Sequence, residues 1–288
     1  MGTYLNPGNS GFRRIVESDY VDKTGLISII NHTIGTTKNL TCVSRPRRFG
    51  KSYAAQMLCA YYDKTCDSRG LFADCMISKD SSYDDHVNKY DVIYLDMTEI
   101  IGEAGNDDIV SYMKRNIIEE IRSQYPMVKI DEGFAATLVN FAESSGSKIV
   151  MIIDKWDAPI REANDNPLVQ KQYLDFLRSL FKNRGTTSKI FAAAYMTGIL
   201  PIKKDGSQSA ISDFEEFTVV KPRIFGEYVG FTEKEVRNLC EKNDISFELM
   251  KQWYDGYEFK GVGAVYNPNS VMKDQIGILY LQRELCPV

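Results

Sequence analysis

Lys51 and Ser52 close a turn, Arg45-Pro46-Arg47-Arg48-Phe49-Gly50-Lys51-Ser52, that follows the apolar run Leu40-Thr41-Cys42-Val43-Ser44 and precedes a helix-forming stretch. Strand, tight turn and helix in that order can cradle phosphate. Backbone N–H groups and the helix N-terminus face the anion, the Lys51 ammonium reaches the β/γ oxygens, and the Ser52 hydroxyl is available to Mg²⁺. Arg47, Arg48, Phe49 and Gly50 are the remaining loop candidates for nucleotide contact. The generic pattern G-x-x-x-x-G-K-[ST] has glycine where this chain has Arg45, so a basic turn before an ordinary helix is the competing reading. Arginines at 45, 47 and 48 could surround phosphates through directional bonds, although at least one of them is expected to face solvent or a carboxylate.

A second apolar run, Lys148-Ile149-Val150-Met151-Ile152-Ile153-Asp154, reads as a buried parallel strand that delivers an acid at its C-terminal end. That is the edge on which open α/β sheets bind ligands. Asp154 there would hold Mg²⁺ beside Ser52, directly or through water; taken alone, the same residues also describe a core strand followed by a solvated acidic turn. Asp91–Asp96 is another strand ending in acid, so Asp96 assists the metal site, sits elsewhere on the same sheet edge, or caps the next helix or turn. The run Ser188–Met196 reads as a further strand with Thr197 and Gly198 following it. Thr197 would sense the γ-phosphate or orient water, the alternative being a strand-end hydrogen bond. The turn and the acidic strand are complementary halves of one Mg-ATP site, with Lys51, Asp154 and Thr197 as catalytic candidates and Ser52 and Asp154 as metal ligands.

Over about residues 8 to 272 the chain resembles the bacterial AAA-ATPase-like family of P-loop proteins. The resemblance is carried, in order, by Tyr20-Val21-Asp22-Lys23-Thr24, the Arg45–Ser52 turn, Asp154-Lys155-Trp156-Asp157-Ala158-Pro159-Ile160, Met196-Thr197-Gly198-Ile199-Leu200, and Trp253-Tyr254-Asp255-Gly256-Tyr257 with Tyr266-Asn267-Pro268. It implies that the Arg45 form of the phosphate loop is an accepted one and that Asp22 and Lys23 lie near the nucleotide base; read locally, they are a helix-start cap and its exposed neighbour. It also implies a glutamate after the metal-binding aspartate, as base or water-orienting group. Lys155 stands there instead. A protonated lysine cannot accept a proton from water, though its charge could pair with phosphate or a carboxylate, or simply point to solvent. Asp157 is the substitute acid, displaced into the following turn, where small misplacements are costly. Relatives often continue into a restriction-nuclease-like domain, and the residues after Ser270 are too few for one, so nuclease activity is not carried over.

The elements that must position these groups alternate along the chain. A short helix is expected over Lys23–Asn31, a strand from Asn39, a helix from Lys51 to about Lys64, the strand Asp91–Asp96, helices over Asp107–Gln124 and residues 131–145, the Asp154 strand and the Ser188–Met196 strand. The pattern predicts an α/β fold, a three-layer P-loop NTPase sandwich with a mostly parallel sheet. Residues 1–38 form an N-terminal segment, 39–222 the core, and 223–288 a small helical lid or winged-helix-like accessory region, incomplete as it stands. In that region Thr232 and Glu235 have capping-box spacing, Ile245–Trp253 suggests a second helix, and the aromatic turn at 253–259 is explained by local packing.

Composition narrows the function classes. The net charge of -4 gives no global pull toward nucleic acid or anionic membrane, and basic residues do not interleave with aromatics on one face. No stretch approaches the roughly 18 consecutive apolar residues of a membrane span, and the first residues lack a signal-peptide pattern, so a cytoplasmic protein is expected. Six cysteines without a C-x-x-C pair, and two histidines, argue for free thiols rather than a zinc site or a disulfide framework. The expected function is a Mg-ATP-binding switch whose hydrolysis is weakened or lost owing to Lys155. The alternatives are a competent ATPase that needs a partner or homo-oligomer to supply an arginine in trans, and a non-catalytic nucleotide-dependent interaction module.

Overall fold

The computed structural model describes residues 2–18, 20–105, 108–162, 166–202, 211, 213–254 and 256–273; Asp107, Asp255 and Cys286, used in the sequence reading, lie outside them. Five parallel strands form the central sheet: β1 (Leu40–Ser44), β2 (Asp91–Asp96), β3 (Ile149–Asp154), β4 (Phe191–Gly198) and β5 (Glu215–Phe217), in spatial order β2-β3-β4-β1-β5. Alternate side chains of a strand face opposite layers. Ile149, Met151 and Ile153 accordingly pack with the helices Ile109–Gln124, Phe134–Ser145 and Pro167–Phe181, whereas Val150 and Ile152 pack with Ser10–Val16, Gly25–Asn31 and Lys51–Tyr62. Covered on both faces, β3 is buried throughout, which is why it reads as a continuous apolar run. The architecture is the three-layer α/β sandwich, with a mostly parallel sheet, that the alternation of elements predicts.

The outer edge of β2 would expose unpaired backbone groups. Residues 4–6 cover it: the Tyr94 N–H donates to the Tyr4 carbonyl at 2.8 Å, and the Asn6 N–H to the Val92 carbonyl at 2.7 Å. Glu120 pins this cover by accepting from the Thr3, Tyr4 and Leu5 N–H groups.

Two boundaries differ from the sequence reading. Ser188–Ile190 belong to the helix Arg184–Ile190, whose N-terminus is capped by Asn183, and the chain passes from Ile190 directly into β4. With no turn residues between them, the apolar run concealed the junction. Thr197 and Gly198 then lie within β4, not after it. The accessory region carries the helices Glu233–Lys242, with the expected Thr232/Glu235 capping box, and Phe247–Trp253. It also forms an antiparallel sheet of β6 (Phe231–Thr232), β7 (Tyr257–Phe259) and β8 (Gly263–Tyr266), in order β6-β8-β7. These strands are too short to show a period, so the region is mixed rather than purely helical.

Candidate functional site

Loop Arg45–Gly50 runs from the end of β1 to the helix Lys51–Tyr62. Gly50 precedes that helix with φ +80°, a backbone conformation that side chains disfavour, and Arg48 is also left-handed at φ +69°. Lys51 is buried and donates to the loop's own carbonyls, Arg45 O at 3.0 Å and Pro46 O at 2.7 Å, so its ammonium is held inside the loop's curve. Burial pushes its pKa down to about 8, with Asp154 and Asp157 opposing the shift.

Arg45 corrects an expectation. It does not join a phosphate ring: it is fully buried, donates to the carbonyls of Ser44 and Phe217, and stacks over the Phe259 ring 5.0 Å from its centroid. Burial lowers its pKa to about 10. The residue that replaces the loop's first glycine thus fastens the loop to β5 and the accessory sheet. Phe49 works in the same sense, being fully buried with its ring edge-on to Tyr257 at 5.2 Å. Tyr257 therefore packs on the loop rather than locally, and Trp253 is 61% exposed, so the aromatic turn is not the self-packed bend expected. Asn267 donates to the Arg47 carbonyl at 3.2 Å and accepts from the N–H groups of Asn269 and Ser270, capping the helical turn that starts at Pro268.

Parallel register places Asp96, Asp154 and Thr197 side by side at the C-terminal ends of β2, β3 and β4, with Ser44 opposite Gly198 on β1. Asp154 is fully buried, and among the described residues neither carboxylate oxygen has a hydrogen-bond partner; the Thr197 hydroxyl is buried and likewise unpartnered among them. Burial raises the Asp154 pKa to about 6; nearby Ser52 counters the shift without completing a hydrogen bond. Unmade hydrogen bonds in a buried strand end are costly, and a cation with coordinating hydroxyls is one way to satisfy them. Lys155 takes φ +56° and turns its ammonium to Asp96 Oδ2 at 2.6 Å, while Asp96 Oδ1 caps the helix Met97–Ala104. Asp96 is therefore the helix cap that one reading expects, and it stands level with Asp154 on the same sheet edge.

Asp157, the substitute acid, is engaged elsewhere in this conformation. It is fully buried and accepts from the N–H groups of Ile199 and Leu200 and from Arg161 Nε at 2.8 Å. Gly198 is required beside it: a Cβ there would lie 2.7 Å from both Asp157 Oδ1 and the Trp156 ring. Asp22 caps the turn at Thr24 and accepts from the Met76 N–H, so its oxygens are occupied away from the loop. Lys23 is bound to Glu235 at 2.6 Å and to the Glu227 carbonyl, tying the N-terminal segment to the accessory region.

A cavity of about 800 Å³ opens over the loop. Its lining includes Arg47, Arg48, Gly50, Lys51, Ser52, Lys155, Asp157 and Gly198 from the core, with Phe12, Tyr20 and Met57 on one apolar wall and Phe231, Pro268 and Met272 on another. A family model described as a predicted AAA-ATPase matches residues 7–207. The chain belongs to the AAA-ATPase-like family. It is 24% identical over 288 residues to "Uncharacterized protein in vnfD 5'region" of Azotobacter chroococcum mcd 1, a match covering 97% of this chain and 52% of that protein. The chain thus spans about half the length of the curated relative it matches. Among solved structures, the Aeropyrum pernix ORC2 protein, in ADPNP-ADP complexes, aligns at 10% identity and a TM-score of 0.42, covering 80% of this chain and 55% of that one.

In this AAA-ATPase-like chain the fold gathers most of the residues singled out from sequence. Lys23, Arg47, Arg48, Phe49, Gly50, Lys51, Ser52 and Asp157 line the cavity, with Lys23, Phe49 and Asp157 also acting as structural ties; Asp154 and Thr197 are buried at the adjoining strand ends rather than among the lining residues, and Asp22 is bonded away from the loop. Sequence reasoning missed Arg161, which lines the cavity and is held by Asp157; the i,i+4 spacing on a short helix was the signal. Among the described residues, no helix is long and apolar enough to cross a membrane, and Cys42, Cys59, Cys66, Cys75 and Cys240 are unpaired.

Proposed function

We propose that the chain binds Mg-ATP in this cavity and acts as a nucleotide-operated switch with weakened or lost hydrolysis. The observation that carries the reading is the buried, unpartnered Asp154 carboxylate beside Ser52 and Lys51, at the strand edge where a phosphate loop opens. Such a carboxylate is destabilising in the folded chain unless it serves a ligand. Ser52 and Asp154 would hold the Mg²⁺, which when bound neutralises charge on the β/γ oxygens. Lys51, released from the loop carbonyls, donates to those oxygens; the backbone N–H groups at the start of the helix Lys51–Tyr62 face them; Thr197 donates or accepts beside the terminal phosphate. The apolar walls at Phe12, Tyr20 and Met57 exclude water from the base.

Hydrolysis needs a group that orients water and accepts its proton. Lys155 is a cation there, and the acids around it are committed: Asp96 to Lys155 and a helix cap, Asp157 to three donors. A competent ATPase remains the second reading, because Asp96 would become an available base if a partner drew Lys155 away. Comparing nucleotide binding and phosphate release for the wild type and Lys155→Glu separates these. Binding by both with release from the variant alone identifies Lys155 as the block. Rapid release by the isolated wild type removes the switch reading, and absence of binding by either removes the nucleotide site itself.

A further inference from the structure

Arg161 has a role that neither the loop nor the acidic strand accounts for. It sits on the helix Ala158–Glu162 with its side chain 20% exposed, lining the same cavity as Lys51, Ser52 and Lys155. Its Nε donates to Asp157 Oδ2 at 2.8 Å, and that carboxylate is itself fixed by the Ile199 and Leu200 N–H groups just beyond β4. The guanidinium is therefore anchored to the sheet edge at one end of its fork. The other end makes no hydrogen bond among the described residues: Nη1 forms only a 3.9 Å ion pair with Glu162 Oε1, and the side chain keeps some exposure. A purely structural arginine would use its fork on the acid that holds it. Here the anchoring bond leaves four N–H donors for something else, and the positive charge stands close enough to disfavour the ammonium of Lys51. An oxyanion between the two cations would relieve that repulsion.

We propose that Arg161 supplies the arginine of this site in cis, donating from its Nη groups to the terminal phosphate of a bound nucleoside triphosphate and so distinguishing triphosphate from diphosphate. The inference rests on the nucleotide-binding reading above. An arginine on a P-loop fold's transferring phosphate can come from the same chain or from a partner. The Asp157 anchor makes this one part of the chain's own sheet edge, so discrimination does not need assembly.

The test measures dissociation constants of a non-hydrolysable ATP analogue and of ADP, both with Mg²⁺, for the wild type, Arg161→Gln and Arg161→Lys, with a thermal melt of each protein without nucleotide. Bonds to a charged group of this kind give a loss of roughly 10- to 100-fold in triphosphate affinity for Arg161→Gln. ADP affinity should change by less than about threefold, since the diphosphate lacks the group the fork reads. Arg161→Lys keeps the Asp157 pair and the charge but not the fork, and should lose most of the same discrimination; it reads the ratio even where the glutamine variant fails to fold. Parallel loss of both ligands, or retention of the wild-type ratio by folded variants, overturns the proposal. So does discrimination that appears only at protein concentrations where the chain associates, because the arginine would then belong to a neighbour. A wild type that binds neither ligand overturns the nucleotide reading together with the proposal, whereas a wild type that binds both equally overturns the proposal alone.

Discussion

Replacing Asp154 with asparagine should stabilise the ligand-free protein at neutral pH while removing Mg²⁺-dependent nucleotide affinity. Burial raises the carboxyl from 3.8 to about 6, which corresponds to roughly 3 kcal/mol of unfavourable charge burial once the group is ionised. The sign follows from proton binding. Between about pH 4 and pH 6 the folded chain holds this proton more tightly than the unfolded chain, so stability falls as pH rises through that window and the penalty is complete above it. Asparagine carries no charge but leaves a buried amide short of partners, a cost of about 1–2 kcal/mol, so the net gain is of order 1–2 kcal/mol. Urea melts of both proteins without nucleotide at pH 7.5 and pH 4 read it, and the gain corresponds to a rise of a few degrees in Tm at roughly 2–4 °C per kcal/mol. The advantage should be present at pH 7.5 and absent at pH 4. A variant that is no more stable than the wild type at pH 7.5, or that keeps the same advantage at both pH values, would refute the account of Asp154 as a charge held for a ligand. Saturating Mg-ATP should reverse the ranking, because only the wild type gains stability from binding.

Three further outcomes follow from the same geometry. The Mg²⁺-dependent part of nucleotide affinity should fall as pH drops through about 6, since Asp154 must be ionised to serve a cation; above pH 8, binding should take up protons as phosphate restores the charge of Lys51, measurable by calorimetry in buffers of different ionisation enthalpy. Gly198→Ala places a Cβ 2.7 Å from Asp157 Oδ1 and the Trp156 ring, both buried, and overpacking of this kind costs about 1–3 kcal/mol; an unchanged denaturation midpoint would mean that the strand end has room to move.

Much of the site was legible because its signals are local. A strand, a turn ending in Gly-Lys-Ser and a helix are consecutive, so Lys51 and Ser52 could be placed at the turn–helix junction from backbone conformations that each residue type favours. β3 announced itself as an apolar run because both of its faces are covered. The Thr232/Glu235 capping box was visible for the same reason, its two hydrogen bonds spanning only three residues. Elements whose existence depends on distant partners were not legible. β6, β7 and β8 are two to four residues long and hold together by pairing with one another, and the helix Arg184–Ile190 merges into β4 without punctuation.

The sequence by itself determined which residue types can meet phosphate and metal, the order of the layers, and the replacement that puts a cation at position 155, since these are properties of composition and short-range conformational preference. Tertiary structure alone decided their partners. Lys155 turned to Asp96 because parallel register sets the ends of β2 and β3 level. Arg45 went inward because β5 and Phe259 offered carbonyls and a ring to a buried guanidinium, and Asp157 became a clamp because Gly198 lets the end of β4 approach it. Charges and hydrogen-bond donors act over a few ångströms of space, whatever their separation along the chain, so their roles were settled only when the sheet brought its strand ends together.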